Sequence, residues 1–488
     1  MVDGFGRRYM MAEEHKHKHI KHRPVLRKIS LFTTLILIFT SILLLVRLVQ
    51  TNIVPTKYLV AGGVIFFIID LIFLTISLIR RYHVWKTINI VLAVLLSAAF
   101  IFVSIVVKKS SDSISQLFQY KEITVTYYVM VNKSSNFNKP EDLKDQSVGM
   151  MVTNKDKIQD HLKEFGTKYN TYTSIGELIY SIEDTNQAIV ISKDYYEYIN
   201  EEDANLVMNL RKIYEFNVVI SSNEVKKQAV ESNIDTNNSF IVYLMGLDAS
   251  GTLTDVNILI VVNPDTHKIL LVHIPRDYYV QIDGTTGLKE KLTHAGFYDL
   301  NTQINTMSNI FNLEMNAYVK VGFKAVTTIV DDIGGIDVYS DTTFNTQYGT
   351  IVRGNNHLNG NKALAFARQR KIYAGGDRHR GENQEAVLTA IIKKISTNKN
   401  LLLKYDDLLN DLSPYLTTNI NLEDAQAMIK KQINDMPTWS VESISVNGAN
   451  SENYTASYPR QWTYVMIPDQ STIDEARNKI MAVMRGTN

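Results

Sequence analysis

The chain has 488 residues, contains no cysteine, and carries 51 lysine and arginine residues against 50 aspartate and glutamate residues. This length leaves room for several domains. The near-neutral charge gives no electrostatic reason to expect nucleic acid as a partner. The absence of cysteine excludes disulfides, thiolate metal sites and cysteine nucleophiles.

A basic tail at residues 1–30 precedes three apolar runs, at 31–49, 58–79 and 85–107. Each run is near the roughly 20 residues that a helix needs to span a bilayer. Buried helices of a soluble core are the alternative, but three runs with short links favour a membrane anchor over 31–107. Lysine and arginine are concentrated in the tail and the second loop, which predicts that both face the cytoplasm and that everything after Lys108 lies outside the cell. Asp70 lies inside the second run, where pairing with a neighbouring helix is expected.

Residues 108–235 are assigned to a tether and an accessory domain. The tether is predicted at 110–120, where the sequence is polar, and a small α/β unit follows from about 121 to 225. ITVTYYVMV alternates like a strand, SIGELIYSIED predicts a helix, and NQAIVIS predicts a buried strand. The pattern resembles one lobe of an extracellular solute-binding protein. Because it holds no dense charge cluster, a scaffold or oligomerisation module is favoured over ligand binding.

A larger α/β domain with a C-terminal extension is assigned to residues 236–488. Strands are predicted at FIVYLMG, VNILIVVN, KILLVHIP and IDVYS. Helices are predicted near 301–313, 323–332, 360–367, 382–396 and 421–435. Apolar strands that alternate with helices predict a central sheet covered on both faces. The extension continues with ESISV, WTYVMIP and a final helix.

Charged residues lie next to the ends of three predicted strands. Asp248 and Arg276 each follow a strand, and Asp255 precedes one. Ligands of open α/β sheets bind in the crevice beyond the carboxyl ends of the strands, where Asp248 and Arg276 are expected to lie. Asp255 also reaches this crevice if its strand is antiparallel to the two strands that precede Asp248 and Arg276. Two carboxylates without a thiol or imidazole partner fit Mg²⁺, which binds through one or two carboxylates and substrate phosphates. Ordinary turn aspartates are the alternative, but the arginines described next favour a site.

The stretch ARQRKIYAGGDRHRGENQEAV places five cationic side chains around Asp377, and these are Arg368, Arg370, Lys371, Arg378 and Arg380. Guanidinium groups grip phosphate oxygens in a bidentate manner, so this stretch predicts a pyrophosphate site. A helix predicted to begin near Glu382 would add free backbone N–H groups, and Arg380 would share a face with Gln384 if that helix extends back. Lys291 supplies one more candidate cation, whereas His294 is expected to pack or hydrogen-bond. A solvated basic loop is the alternative.

These residues carry a resemblance to the LytR–CpsA–Psr family of Gram-positive cell-envelope proteins. It rests on MGLDAS, TDVNILIVVN, ILLVHIPRD, KLTHAG, VKVGFKAVTTIVDDIGGIDV, HLNGNKALAFARQR and GGDRHRGENQ, in this order over about 240–390. The three spans and the accessory domain resemble the capsule or exopolysaccharide branch, which has CpsA-like members. One departure is the loop DASGTLTD, which is shorter than in the family and lacks its usual arginine.

The resemblance implies a phosphotransferase that attaches lipid-linked polysaccharide to peptidoglycan and releases polyprenyl phosphate. Its fold would be α/β, with an α/β/α catalytic domain around a central mixed sheet. Asp248 and Asp255 would hold Mg²⁺, and Asp377 would be a possible base. The diphosphate would be bound by Arg276, Arg368, Arg370, Arg380 and Gln384. The charge pattern of the sequence adds Lys291 and Arg378 to the predicted diphosphate site, and Arg276, Arg368 and Arg370 are also predicted to act in catalysis. Other capsule-assembly proteins are candidate partners.

Two other functions stay open from the sequence. One is a membrane regulator of polysaccharide synthesis and chain length that performs no catalysis. The other is a pyrophosphatase, in which water replaces the sugar acceptor.

Overall fold

A computed structural model describes residues 24–79, 83–117, 122–202, 207–221, 231–248, 253–370, 372–373, 377–398, 401 and 405–487. The chain separates into two compact units, residues 1–111 and 112–488.

The first unit is built from long apolar helices, α1 (Pro24–Gln50), α2 (Thr56–Leu78) and α3 (His83–Leu117). Within the described residues, three stretches are long and apolar enough to cross a membrane: Val25–Gln50, Thr56–Leu78 and His83–Lys109. They coincide with the three apolar runs of the sequence. Helix α3 continues to Leu117, so the first part of the predicted tether is helical instead.

Polar side chains connect the three helices of this unit. The Asn89 amide donates hydrogen bonds to Ser30, Thr34 and Ser77, over distances of 3.2, 3.2 and 3.0 Å. Ser41 donates to the Asp70 carboxylate at 2.7 Å, which is the helix pairing expected from the sequence. Interhelical hydrogen bonds of this kind help membrane helices to associate, because hydrocarbon offers no other partner.

The accessory domain contains one five-stranded sheet. In chain order its elements are β1 (Ile123–Asn132), β2 (Ser147–Met151), α4 (Lys155–Leu162), β3 (Lys168–Tyr172), α5 (Ile175–Asp184), β4 (Ala188–Ser192), α6 (Lys193–Glu202) and β5 (Leu210–Ile220). The strand order is β3-β2-β4-β1-β5. β2 is parallel to β3 and β4, while β1 is antiparallel to β4 and β5. Strands β1 and β4 and helix α5 were predicted from the sequence, whereas β3 and β5 were not.

The larger domain begins with β6 (Phe240–Leu247), β7 (Thr254–Asn263), β8 (Lys268–Ile274), β9 (Tyr279–Val280), β10 (Glu290–Lys291), α7 (Leu300–Phe311), β11 (Ala317–Val321) and α8 (Phe323–Asp332). It continues with β12 (Ile336–Ser340), β13 (Phe344–Thr346), β14 (Gly349–Ile351), β15 (Gly354–Leu358), α9 (Gly360–Arg368) and α10 (Asp377–Thr397). The last elements are α11 (Tyr405–Leu412), β16 (Leu416–Thr418), α12 (Leu422–Asp435), β17 (Ser440–Ser445), β18 (Gly448–Asn453), β19 (Thr463–Pro468) and α13 (Gln470–Arg485).

A six-stranded mixed sheet organises this domain, in the order β16-β11-β6-β7-β8-β17. Strand β7 is antiparallel to both of its neighbours, whereas β11 is parallel to β6 and β17 is parallel to β8. One face buries Met307 and Phe311 of α7 and Ile480 of α13. On the other face, Leu388 and Ile392 of α10 pack on the sheet. The larger domain is therefore an α/β/α sandwich, as expected.

Three details differ from the sequence analysis. IDVYS forms β12, which pairs with β15 in a separate two-stranded sheet rather than in the central one. Strand β11, which was not predicted, lies between two predicted helices and is only five residues long. Helix α10 begins at Asp377, five residues before the predicted start near Glu382.

Candidate active site

A cavity of about 530 Å³ lies between one face of the central sheet and helices α8, α9 and α10. Aliphatic side chains from strands and helices supply most of its wall, among them Leu244, Ile258, Ile260, Val319, Val326, Ile329, Leu364, Leu388 and Ile391. A wall of this kind has few polar groups to hydrate a ligand, so it suits a hydrocarbon chain. The sequence did not reveal this cavity, because its wall is assembled from distant segments.

Six charged or polar residues line the same cavity, and these are Asp255, Arg276, Arg368, Arg370, Arg380 and Gln384. They come from three separate stretches of the chain: the start of β7, the end of β8, and the segment from the end of α9 to α10. Their convergence depends on the antiparallel arrangement of β7 and β8, which places the first residues of one strand beside the last residues of the other. An ordinary solvated basic loop would not show this arrangement.

Arg276 and Asp255 form an ion pair inside this cluster. The guanidinium Nη1 lies 2.7 Å from the Asp255 carboxylate, and the two side chains are 22% and 21% exposed. The Nε of Arg276 lies 3.6 Å from Asp277. Because carboxylates hold it on two sides, the Arg276 fork has a defined orientation at the cavity.

Arg380 and Gln384 are nearly buried on the same face of α10. Their exposed fractions are 8% and 9%. The Arg380 Nη2 lies 3.5 Å from the carbonyl oxygen of Asp255. Because α10 begins at Asp377, both residues are helical and four positions apart, so they share a face as the sequence analysis required. The free backbone N–H groups of the helix start, which were predicted near Glu382 as an anion-binding feature, therefore lie in the first turn from residue 377 instead.

Gly381 allows α10 to lie directly against strand β8. A methyl group at this position would meet the His273 ring, whose nearest atom is only 2.5 Å away. Burial, followed by the nearby Arg380 charge, lowers the pKa of His273 to about 4. The ring is therefore neutral near pH 7 and supports the helix beside the arginine without repelling it.

Replacing Gly381 with alanine is expected to destabilise the protein by about 1–3 kcal/mol, because the added methyl group forces α10 away from the sheet. Arg380 would move with the helix, so affinity for a diphosphate should fall as well. Thermal unfolding of the detergent-solubilised chain measures the first effect. Gly322→Ala is the control for stability, since a methyl group at Gly322 would have no atom within 4 Å. Equal unfolding temperatures for the two variants would contradict the prediction.

Arg368 and Arg370 lie where α9 ends and the chain becomes extended. Gln369, between them, has φ −72° and ψ 123°. The Arg368 guanidinium stacks on Phe323 with its carbon 4.3 Å from the ring centroid, and both arginines are exposed. Stacking on an aromatic face leaves the edge of the guanidinium available to an anion. Phe323 was not predicted as a site residue.

Lys291 lies near the cluster but does not line the cavity. Its Nζ is 3.6 Å from the Asp277 carboxylate. The next residue towards the N-terminus, Glu290, is 2.7 Å from His294, and both side chains are buried. Burial favours the neutral form of the Glu290 carboxyl group and by itself would raise its pKa. The nearby His294 and the hydrogen bonds to the carboxylate outweigh burial, so the pKa of Glu290 is lowered. His294 is thus a hydrogen-bonding residue, as expected.

Asp248 does not line the cavity, in contrast to Asp255. Its Oδ1 accepts a hydrogen bond of 3.1 Å from the Leu253 backbone N–H. On the neighbouring strand, burial lowers the pKa of Lys320 and the Asp248 charge opposes this change. Residues 249–252, which join the two aspartate-bearing strands, lie outside the described residues.

The donor set for a cation is small. In the part of the chain that the structure describes, no group of three or more His, Asp and Glu side chains is arranged to hold a metal ion. A divalent cation would depend on the Asp255 carboxylate, with Asp248 at the adjacent strand end, and on oxygens of the substrate. Such a set fits Mg²⁺, which commonly binds through one or two carboxylates and phosphate.

Three predicted residues remain outside this geometry. The side chain of Asp377 and the whole of Lys371 lie outside the described residues. Arg378 is exposed and lies 4.0 Å from Glu382, and it does not line the cavity. The structure therefore brings together four of the five predicted arginines of the diphosphate site.

Glu385 is a buried carboxyl group beside the site that the sequence analysis did not single out. It is 6% exposed and accepts a hydrogen bond of 2.9 Å from Ser445 on β17. Burial raises its pKa to about 7. The folded protein holds this proton up to about pH 7, whereas the unfolded chain releases it near 4.5. The free energy of unfolding is therefore expected to fall as the pH rises through this window.

Replacing Glu385 with glutamine removes this charge and should stabilise the protein by on the order of 2 kcal/mol at pH 8, with little change at pH 4.5. Thermal unfolding of the detergent-solubilised chain at both pH values measures the difference. Glu382→Gln is the matched control, because the Glu382 side chain is 49% exposed on the same helix. If both variants respond to pH alike, burial of Glu385 does not control the effect.

Comparison with known proteins adds independent information. The model of the LytR_cpsA_psr family matches residues 209–480. The chain is 32% identical over 252 residues to polyisoprenyl-teichoic acid–peptidoglycan teichoic acid transferase TagU of Bacillus anthracis, covering 48% of this chain and 82% of TagU. For TagU of Bacillus licheniformis the identity is 30% over 240 residues, covering 48% and 75%.

Among solved structures, TagV of B. subtilis is 26% identical, with a TM-score of 0.44; the match covers 51% of this chain and 98% of TagV. The family match spans more than half of the sequence and contains every residue of the cavity. The chain therefore belongs to the LytR_cpsA_psr family.

Proposed function

We propose that this protein is a membrane-anchored phosphotransferase that attaches polyprenyl-diphosphate-linked capsular polysaccharide or exopolysaccharide to peptidoglycan. One observation carries the proposal: an aliphatic cavity of about 530 Å³ that four arginines also line. A polyprenyl diphosphate has the matching structure, with a long hydrocarbon chain joined to two phosphates. The curated relatives are named for transfer of polyisoprenyl-linked teichoic acid to peptidoglycan.

In the proposed reaction, a peptidoglycan hydroxyl oxygen attacks the phosphorus that carries the sugar. A new oxygen–phosphorus bond forms, and the bond from this phosphorus to the bridging oxygen of the diphosphate breaks. Polyprenyl phosphate leaves with the electron pair of that bond. The hydroxyl proton passes to a base, and Asp377 is the candidate because it begins the helix that carries Arg380.

The arginines supply most of the electrostatic stabilisation. Negative charge grows on the bridging oxygen as the bond breaks, and preorganised guanidinium groups stabilise such charge most strongly where water is excluded. Arg276 is oriented by Asp255, Arg380 is held against the sheet, and Arg368 is fixed by Phe323. Arg370 completes the set, and Lys291 raises the local positive charge.

Asp248 and Asp255 are proposed to hold Mg²⁺ at this site. When bound, the ion would neutralise charge on the diphosphate oxygens. Asp255 lines the cavity beside the arginines, which supports its role. Asp248 can contribute only if its side chain turns from the Leu253 N–H towards the cavity.

The proposed orientation places the basic N-terminal tail in the cytoplasm and residues beyond Lys108 outside the cell. The three membrane-spanning helices and the lysine and arginine distribution support it. The lipid-linked substrate then lies in the same membrane as the enzyme. Other capsule-assembly proteins are proposed as partners at that membrane.

A transfer assay tests the proposed function. The full chain in detergent, Mg²⁺, a polyprenyl-diphosphate oligosaccharide and peptidoglycan fragments should yield glycan-linked fragments and polyprenyl phosphate. Release of polyprenyl phosphate without any acceptor product would favour a pyrophosphatase. Absence of both reactions, together with altered polymer length in cells lacking the protein and unchanged attachment, would favour the regulator.

A further inference from the structure

A second cavity, of about 310 Å³, lies where the accessory domain meets the larger domain. One wall contains Thr153 and Asn154, just after β2, together with Ser192 at the end of β4 and Asp194 in the first turn of α6. The opposite wall contains Phe297 and Tyr298, which precede α7. The cavity is separate from the first one, since the two have no lining residue in common.

The accessory sheet places this cavity at a switch in its topology. Strand β2 pairs in parallel with β3 on one side and β4 on the other. The chain leaves β2 through α4 towards β3 on one side of the sheet, and it leaves β4 through α6 towards β5 on the other side. Connections that diverge in opposite directions from adjacent strands leave a crevice beyond their carboxyl ends, and open α/β sheets bind their ligands there.

Specific contacts hold the two walls together. The Tyr298 hydroxyl donates to the Thr173 carbonyl at 2.9 Å. The Tyr195 and Ser457 hydroxyls are 3.3 Å apart, and the centroids of the Tyr195 and Phe297 rings are 3.7 Å apart. Hydrogen bonds and an aromatic contact both join the domains. The cavity is therefore enclosed by a specific domain interface rather than by loosely packed surfaces.

The lining has a different chemistry from that of the first cavity. It includes the aromatic side chains Tyr127, Tyr195, Phe297 and Tyr298 and several neutral hydrogen-bonding groups. The Asn154 amide, also in the lining, donates a hydrogen bond to the Tyr127 hydroxyl at 3.1 Å. Among the described residues, the lining contains two carboxylates, Asp194 and Asp299, and neither lysine nor arginine. It therefore offers nothing to neutralise a phosphate.

We propose that this second cavity binds a neutral saccharide of one or two rings. A pyranose has C–H faces that pack on aromatic rings and a rim of hydroxyls that hydrogen-bond to amide, hydroxyl and carboxylate groups, and the cavity supplies both. Its volume is near the lower end of ligand pockets, at roughly 300 Å³. The inference rests on the proposed function only for the origin of the sugar, which is either the peptidoglycan acceptor or the repeating unit of the polymer.

Titration of the full chain in detergent with two neutral probes tests the proposal. Chitobiose represents a wall-type glycan of N-acetylglucosamine, and maltose represents a hexose polymer. Saturation-transfer NMR should detect binding of at least one probe, and the preferred probe identifies the source of the sugar. Detection of neither probe up to 10 mM, roughly ten times the weakest Kd in the ordinary range of affinities, would overturn the proposal.

Thr153→Trp fills the cavity and should weaken saccharide binding at least tenfold, a change of about 1.4 kcal/mol. Thr171→Trp is the matched control, because Thr171 is exposed on the edge strand β3 and does not line the cavity. Asp194→Ala provides a second variant in case Thr153→Trp does not fold, since Asp194 is exposed. It should weaken binding severalfold.

Arg276→Ala separates this inference from the proposed function. Saccharide binding should survive this change, because Arg276 lines only the first cavity. Conversely, Thr153→Trp should still bind a polyprenyl diphosphate. If saccharide binding disappears with Arg276→Ala and persists with both Thr153→Trp and Asp194→Ala, the sugar occupies the first cavity and the proposal is wrong.

Discussion

Replacing Arg276 with alanine is expected to lower kcat/KM for glycan transfer about 10²–10³-fold, as loss of a preorganised donor to developing negative charge does in other enzymes. The variant loses one fork of the diphosphate clamp. It also leaves the Asp255 carboxylate without its 2.7 Å partner, so that a negative charge faces the phosphates. Arg276→Lys restores the charge but not the two-pronged geometry, and it should recover only part of the activity. Steady-state transfer by the detergent-solubilised chain measures both variants.

Arg485→Ala is the matched control for this prediction. Arg485 is exposed in the last turn of α13 and does not line the cavity, so its loss should leave kcat/KM unchanged. Thermal unfolding of all three variants separates a catalytic defect from misfolding. If the Arg276→Ala variant folds and transfers glycan as fast as the parent, Arg276 does not take part in the mechanism.

Filling the aliphatic cavity should make binding depend on the length of the lipid. Val326→Trp places a large ring among the lining residues of α8. Each methylene kept out of the cavity costs about 0.8 kcal/mol, so excluding two of them weakens binding of a long polyprenyl diphosphate about tenfold. Geranyl diphosphate, whose chain is short, should bind almost as it does to the parent. Competition binding with diphosphates of increasing chain length measures the effect.

Val352→Trp is the control for added surface hydrophobicity, because Val352 is 49% exposed and lies outside the cavity. It should bind short and long lipids like the parent. A uniform loss of affinity for all chain lengths in Val326→Trp would indicate damage to the diphosphate clamp. The cavity would then not be the lipid site.

The accuracy of the sequence analysis varied with the length and repetition of the local signal. The three membrane-spanning helices and β6, β7 and β8 were found because each is a long apolar run with a clear period. Strand β11 was missed because it has only five residues and Lys320 interrupts it. The start of α10 was placed too late, since Gly381 and the charged residues before it resemble a loop until tertiary packing on His273 is known.

The candidate site followed the same division. Arginines and aspartates at strand ends could be selected from the sequence, because their chemistry and their positions are both local properties. The sequence could not show which of these residues line the cavity and which do not. Asp255 and Arg380 line the cavity, whereas Asp248 and Arg378 do not, and this difference arises from side-chain directions that only the assembled sheet and helices fix.

By itself, the sequence determined the three apolar helices of the anchor, the α/β character of the two domains that follow them, the family resemblance and the group of cationic residues suited to a diphosphate. The tertiary structure alone decided that an aliphatic cavity adjoins this group and that a second cavity, lined by aromatic and polar side chains, lies between the accessory domain and the larger domain. The physical reason is the range of the interactions involved. Hydrophobic periodicity and charge patterns are properties of residues that are close in sequence. A cavity, in contrast, is the space between surfaces that come from distant parts of the chain.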